Sequence, residues 1–309
     1  MSTNQPVTSN APAGVRNPVA AYDAGLIQAV SVDEGEVARA VAALAERAPP
    51  PGAVRQVQAI AAIDLTTLSS DDTPERVKAL CAKARQPLSR EKQVALGCEG
   101  LTTAAVCVYH AFIGTALEAL AGTAIPVAAV SAGFPHGLSP LKARILEVEE
   151  SVAAGAHEID IVIDRSKALT GNWQGVYDEV RAFREACGEA HLKAIIGAGD
   201  LGTLTNVAKA SVVCMMAGAD FIKTSTGKEV VNATPEFALV MARTIAFWRK
   251  TTGYKVGFKA AGGIARAAEV PIYQVVMQDV LGEEWLASNL FRIGASRLLG
   301  DLVAQLEHV

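Results

Sequence analysis

Eight short apolar runs, each followed by a longer segment with helical spacing, leave this chain few folds to choose from. The runs cover residues 60–65, 104–109, 126–131, 158–163, 192–196, 220–223, 255–259 and 290–293. Seven helical patterns separate them, over residues 73–84, 111–121, 140–154, 173–187, 203–217, 235–250 and 268–281, and an eighth covers 296–306. Apolar runs of this length, alternating with helices, read as buried parallel strands joined by crossovers. Eight such units are enough to close an α/β fold of the (β/α)8 TIM-barrel type, expected here over residues 55–309. An open doubly wound sheet is the rival. No GxGxxG follows the first run, which weakens its dinucleotide-binding form.

The first fifty residues read differently. Residues 1–20 are rich in Ser, Thr, Asn, Pro and Ala and are expected to form a flexible arm. Residues 21–54 form a helical extension, with an amphipathic helix over 33–48 carrying Val37, Val41 and Leu44 at helical spacing. Pro49-Pro50-Pro51-Gly52 stops it.

Composition excludes several function classes. Half of the 309 residues are hydrophobic and 19% are charged, enough apolar surface to offset ordering entropy, so general disorder is excluded. A net charge of −4 argues against a nucleic-acid or anionic-membrane binder. Five scattered cysteines without a CxxC argue against a disulfide scaffold or zinc ribbon and suit a reducing cytoplasm. The start of the chain has no apolar signal region. The longest uncharged stretch, residues 119–135, is broken by Gly122, Pro126, Gly133 and Pro135, so no membrane helix is expected.

A barrel of this kind carries its chemistry at the carboxyl ends of its strands. Asp64 ends the first run, Cys107 lies near the end of the second, Asp160 lies in the fourth and Lys193 in the fifth. The sixth ends in Lys223, followed by Thr224, and the seventh in Lys259. Lysine is rarely buried without a reason. Adjacent strands lie about 4.8 Å apart, so the two amines can approach closely. A second cation and partial burial both disfavour protonation. Bringing a lysine from about 10.4 to about 7 needs roughly 4–5 kcal/mol. A neutral amine is the nucleophile of Schiff-base chemistry. The alternative is a lysine pair held in ion pairs at the barrel mouth, and spacing alone leaves both open.

Asp160, flanked by Ile159 and Ile161, is expected to face the interior, as an interior salt bridge, as a proton relay, or as both. Gly262-Gly263 after the seventh run and Gly294-Ala295-Ser296 after the eighth suit anion binding by backbone amides, and Gly227-Lys228 could add a cation. Tight turns alone would use the same glycines. Thr226-Gly227-Lys228-Glu229 is not a P-loop, since Ile222 stands where that loop needs glycine. The five histidines have no HxH or HExxH spacing, so no metal is expected. Cys107 reads as a packed thiol, because no histidine is placed as its base.

At these residues the chain resembles the deoxyribose-phosphate aldolase family, class I aldolases on a (β/α)8 barrel. The resemblance is carried by Ile63-Asp64-Leu65-Thr66-Thr67-Leu68, Ala105-Val106-Cys107-Val108-Tyr109, Gly133-Phe134-Pro135-His136-Gly137, Glu158-Ile159-Asp160-Ile161-Val162 and Leu192-Lys193-Ala194-Ile195-Ile196. It continues through Phe221-Ile222-Lys223-Thr224-Ser225-Thr226-Gly227-Lys228, the most diagnostic block, then Gly257-Phe258-Lys259-Ala260-Ala261-Gly262-Gly263-Ile264 and Arg292-Ile293-Gly294-Ala295-Ser296. These stretches run in order from about residue 55 to 300.

The resemblance implies reversible cleavage of 2-deoxy-D-ribose 5-phosphate to D-glyceraldehyde 3-phosphate and acetaldehyde, a lyase reaction of deoxyribonucleotide catabolism that needs no cofactor. It implies Lys223 as Schiff-base former, Lys259 as the lysine that lowers its pKa, and Asp160 as proton carrier. Lys193, Asp64, Cys107 and Thr224 would support them, and Gly227, Lys228, Gly262, Gly263, Gly294 and Ser296 would hold the phosphate. Partners would be phosphosugar and aldehyde substrates; separately, the helix over 33–48 could cover the barrel bottom or contact another subunit, and a homodimer is expected. Another Schiff-base phosphosugar aldolase or transaldolase, or a non-catalytic phosphosugar-binding barrel, are the competing readings.

Two departures stand out. Family members often carry Arg directly after Gly-Gly-Ile/Val, where this chain has Ala265 followed by Arg266, and many carry a small hydroxyl residue where it has Arg297. Arg266 or Arg297 could compensate electrostatically. Some members also end in a tyrosine-bearing tail, and no tyrosine follows Tyr273 here, from which slower turnover or a water-borne proton step is expected.

Overall fold

The computed structural model describes residues 16–50 and 52–307. Eight parallel strands close into a barrel in chain order, with the last pairing back onto the first. They are β1 (Ile63–Thr66), β2 (Ala105–Tyr109), β3 (Val127–Val130), β4 (Glu158–Val162), β5 (His191–Ile195), β6 (Phe221–Lys223), β7 (Gly257–Ala261) and β8 (Phe291–Ala295). The closed ring decides against the open sheet.

Thirteen α-helices are described: α1 (Ala24–Ala29), α2 (Glu34–Arg47), α3 (Ala53–Ala61), α4 (Pro74–Arg85), α5 (Arg90–Ala95), α6 (Ile113–Ala119), α7 (Leu141–Ala153), α8 (Arg165–Leu169), α9 (Trp173–Cys187), α10 (Leu204–Met216), α11 (Pro235–Thr252), α12 (Val270–Leu281) and α13 (Leu298–Glu307). Their ends carry the expected chemistry. Thr234 caps α11 by accepting from Phe237 N at 3.2 Å, with Pro235 in its first turn, and Gly253 at φ +80° closes it. Asn172 caps α9 by accepting from Gly175 N at 3.0 Å.

Two readings of the amino-terminal region change. Of the expected flexible arm, residues 1–15 lie outside the described residues, but residues 16–20 are docked. Asn17 is buried; its backbone N donates to Asp220 Oδ1 at 2.9 Å and its amide donates to Met215 O at 2.7 Å and Ala219 O at 3.0 Å. Trp248 Nε1 donates to Asn17 Oδ1 at 3.0 Å. A side chain with every polar group matched to a buried partner holds its segment in place. The second change is the boundary between extension and barrel. Helix α3 crosses residue 54, and Ile27, Val37, Val41 and Leu44 share one core with the barrel's helices.

That core fills the layer between strands and helices, with Ile159, Ile161, Leu192, Ile222 and Phe258 facing outward into it. Inside the ring the apolar share is small. Cys107, Ala128 and Val130 form a separate buried cluster against Leu68, Tyr109 and Phe134. Phe221 lies among the charged side chains of the rest of the lumen, its ring centroid 6.0 Å from Lys193 Nζ and 5.6 Å from the Arg292 guanidinium carbon.

Candidate active site

Seven acidic and basic side chains stand in the barrel lumen, all buried: Asp64 on β1, Glu158 and Asp160 on β4, Lys193 on β5, Lys223 on β6, Lys259 on β7 and Arg292 on β8. Strand register brings them together. Asp160 pairs in register with Lys193, Lys223 with Lys259, and Lys259 with Arg292. Each side chain sits on the inward face of its strand, since apolar neighbours one residue away face the helices.

Asp160 is the hub. Its Oδ2 accepts from Lys223 Nζ at 2.7 Å and from Lys259 Nζ at 2.8 Å, and its Oδ1 accepts from Lys193 Nζ at 3.2 Å. Lys259 also pairs with Asp64. Lys193 pairs with Glu158 and lies 3.5 Å from Asp64 Oδ2. Arg292 bridges Asp64 and Glu158, reaching Glu158 Oε1 at 2.9 Å.

The charge count picks out one member. Three carboxylates face four cationic side chains. An unmatched charge in a protein interior costs several kcal/mol. Release of one proton from a lysine balances the group, three against three. Lys259, Lys193 and Arg292 each hold two or more carboxylates, whereas Lys223 holds Asp160 alone. Lys223 is therefore the member that gives up its proton most readily.

The direction of each pKa agrees. Burial pushes Lys223 down, Asp160 opposes, Lys259 adds a like charge, and the net displacement is downward. Burial alone would lower Lys259, but Asp160 and Asp64 outweigh it and hold its ammonium charged. Burial likewise opposes protonation of Lys193, which Asp160, Glu158 and Asp64 outweigh. Burial would raise Asp160, yet Lys193, Lys223 and Lys259 hold it well below the usual carboxylate range. Cys107, behind the lysine pair, is pushed up by burial and stays a thiol.

Thr224 ties the two lysine strands together. Its hydroxyl donates to Ala261 O at 3.0 Å and accepts from Ala261 N at 3.0 Å, which clamps the ends of β6 and β7. Ser131 and Ser225, at the same mouth, each bury a hydroxyl without a partner among the described residues.

The glycine positions divide. Gly227 (φ +89°) and Gly262 (φ +85°) lie against each other, and a Cβ on Gly227 would come within 3.8 Å of Gly262 Cα. At Gly262 a Cβ would lie 2.5 Å from Asn232 Oδ1, so both the backbone and the space require glycine. Gly263, Lys228 and Ser296 are exposed at this rim. Gly294 is placed differently from the sequence expectation. It lies within β8, and a Cβ there would come 3.1 Å from Lys259 Cε, so its bare backbone makes room for that lysine's stem. Arg266 is exposed and pairs with Glu269, donating through Nη2 at 2.9 Å.

Sequence reasoning missed Glu158 and Arg292. Both stand two residues or one register step from residues it named, on the inward face of apolar strands. A cavity of about 1180 Å³ opens at the opposite mouth, at the amino ends of the strands, and reaches the same network through Glu158 and Arg292. Barrel chemistry belongs to the carboxyl ends, where Lys223 and Thr224 stand. Among the described residues no group of three or more His, Cys, Asp or Glu is arranged to hold a metal, and no helix is long and apolar enough to cross a membrane.

Residues 58–282 match the model of the DeoC/LacD family aldolases. The chain belongs to that family. It is similar to the deoxyribose-phosphate aldolase of Homo sapiens, 54% identical over 258 residues, which is 82% of this chain and 80% of the human one. The Mus musculus enzyme of the same name is 55% identical over an equal span, with the same coverage of both chains. Among solved structures, the tetrameric deoxyribose phosphate aldolase of Aeropyrum pernix superposes with a TM-score of 0.64 at 21% identity, covering 87% of this chain and 98% of that one, a likeness of fold.

Proposed function

We propose that the chain catalyses reversible class I aldol cleavage of 2-deoxy-D-ribose 5-phosphate to D-glyceraldehyde 3-phosphate and acetaldehyde, with Lys223 as the Schiff-base nucleophile. One observation carries the assignment of the nucleophile: Lys223 is the cation with a single carboxylate partner in a buried group of four cations and three carboxylates. Family membership and the human and mouse relatives support the reaction.

The steps follow from Schiff-base chemistry. The neutral Lys223 amine attacks the C1 aldehyde, and the oxygen takes a proton to give a carbinolamine. Loss of water leaves a cationic imine. Deprotonation of the C3 hydroxyl then breaks the C2–C3 bond. Its electrons pass into the imine, and glyceraldehyde 3-phosphate leaves from an enamine. Protonation of the enamine at C2 and hydrolysis release acetaldehyde and restore the amine. Asp160 touches Lys223 and is the group placed to pass protons through water. Lys259 stays charged and opposes protonation of Lys223. The imine carries the positive charge the neutral amine lacked, and Asp160 lies within reach to stabilise it.

Phosphate is assigned to the rim made by Gly227, Lys228, Gly262, Gly263 and Ser296, with Gly294 supporting it through the lysine stem. The five described cysteines are all unpaired, which supports a reducing cytoplasm, and we read the assembly as a homodimer. Borohydride added with acetaldehyde tests the chemistry. The expected result is an ethyl adduct on Lys223, absent in Lys223→Ala. An unmodified Lys223, or an adduct on Lys259, refutes the assignment.

A further inference from the structure

The loop that follows the lysine strand is already holding an anion. Backbone N–H groups of three successive residues converge on one carboxylate, that of Glu229. Thr226 N lies 3.0 Å from both its oxygens, Gly227 N lies 3.0 Å from Oε2, and Lys228 N lies 3.2 Å from Oε2. Thr226 Oγ1 donates to the same oxygen at 2.7 Å. Consecutive amides turned inward around a left-handed glycine form a concave anion nest. The carboxylate sits inside it with 2% of its side chain exposed. Gly227 and Lys228 are also the residues assigned above to the substrate phosphate, and one nest cannot hold two anions.

We propose that Glu229 is an internal competitor for the phosphate nest. It fills the nest while no substrate is bound and leaves it when a phosphorylated substrate arrives, so it sets how strongly the enzyme prefers a phosphorylated sugar. This proposal rests on the functional reading above. The surroundings suit a movable side chain. Arg165 Nη1 lies 3.6 Å from Glu229 Oε1 and offers the displaced carboxylate a cation. Arg165 is itself anchored at 3.3 Å by Asp200 and at 3.4 Å by Pro135 O. Val230, next in the chain, is fully exposed and anchors nothing apolar. Asn232 Nδ2 donates to Glu229 O at 2.9 Å, so the backbone stays while the side chain turns.

Occupancy lowers apparent affinity in proportion to the fraction of time the nest is closed. A nest closed nine-tenths of the time binds phosphate about tenfold more weakly than a free one. Glu229→Gln removes the charge and keeps the shape, and Glu229→Ala removes both. Inorganic phosphate is the probe, as competitive inhibitor of cleavage and as titrant in calorimetry on folded protein. The expected result in both variants is tighter phosphate binding by up to about tenfold, with a matching fall in KM for the phosphorylated sugar. The ratio of kcat/KM for 2-deoxyribose 5-phosphate to that for 2-deoxyribose should rise. Phosphate binding that is unchanged or weaker in both variants overturns the proposal and makes Glu229 a brace for the loop. Calorimetry reads this even where a variant turns over poorly. Absence of a Lys223 adduct in the parent protein would instead refute the functional reading.

Discussion

Replacing Lys259 by methionine should cost this enzyme its neutral nucleophile while leaving the nucleophile in place. Lys223 and Lys259 both bind Asp160 Oδ2, at 2.7 and 2.8 Å, so their nitrogens are no further apart than 5.5 Å, the two distances laid end to end. At an effective dielectric constant of about 20, unit charges ~5.5 Å apart repel by about 3 kcal/mol. Lys259→Met removes that repulsion. It also leaves three carboxylates facing three cationic side chains with Lys223 protonated, so the balance that favoured a free amine now favours an ammonium. Asp160 loses a competing donor as well, which strengthens its hold on Lys223. All three changes act in one direction.

At about 1.4 kcal/mol per tenfold, the neutral fraction of Lys223 near pH 7 should fall about a hundredfold. The assay is the initial rate of borohydride-trapped imine at Lys223, read by mass as a function of pH. Lys259→Met should be slow near neutrality and recover as pH rises, because alkali removes the proton that Lys259 no longer repels. Lys259→Arg keeps the charge and should retain most of the neutral-pH rate. A Lys259→Met protein that is folded by circular dichroism and keeps the parent's pH profile would refute the reasoning. The charge count would then play no part in setting the state of Lys223.

The ring of strands was readable because periodicity is a property of the chain itself. A run such as 158–163 carries its own signal of length, β-branched content and flanking breaks. The short helices α3, α5 and α8 were not anticipated as helices, and α1 was covered only by the general expectation of a helical extension over 21–54, because five to nine residues hold too few turns for a periodic pattern. At α3 the buried pair Ala59 and Ile60 merges into the apolar run of β1, and a helix end there reads as a strand start. Asn17 was unreadable for another reason. Its partners lie some two hundred residues away, and nothing in a Ser/Thr/Asn/Pro-rich segment marks one side chain as buried. The lysine pair was legible, but its electrostatics were not. Pairwise reasoning placed one cation beside another, whereas Lys223 sits among six other charged groups, of which Glu158 and Arg292 enter only through register.

Three further outcomes follow from these contacts. Asn17→Ala leaves Trp248 Nε1 and Ala219 O without the partner Asn17 supplies, each such group costing about 1–3 kcal/mol, so urea unfolding should show a loss of about 2 kcal/mol or more. Thr224→Val breaks the clamp between β6 and β7 and should cost about 1–3 kcal/mol in the same measurement, with a lower kcat as the lysines lose their fixed spacing. Acidification should destabilise the fold in two stages. Burial lowers His157 and His191 below their ordinary value, and His157 Nδ1 accepts from Val127 N at 3.0 Å, a bond that only the neutral ring can make. The unfolded chain therefore binds protons at these sites before the folded one does. Their contribution is intact above about pH 6.5 and is lost as pH falls below it. Asp64, Glu158 and Asp160 are also lowered, burial opposing and the lumen cations prevailing, so their contribution survives to about pH 4 and is lost below that. Thermal melts across pH 8 to 3 should show both declines. His157→Gln and His191→Gln together should remove the first and leave the second, and a single decline near pH 4 in the parent protein would show that the two imidazoles titrate alike in the folded and unfolded chain.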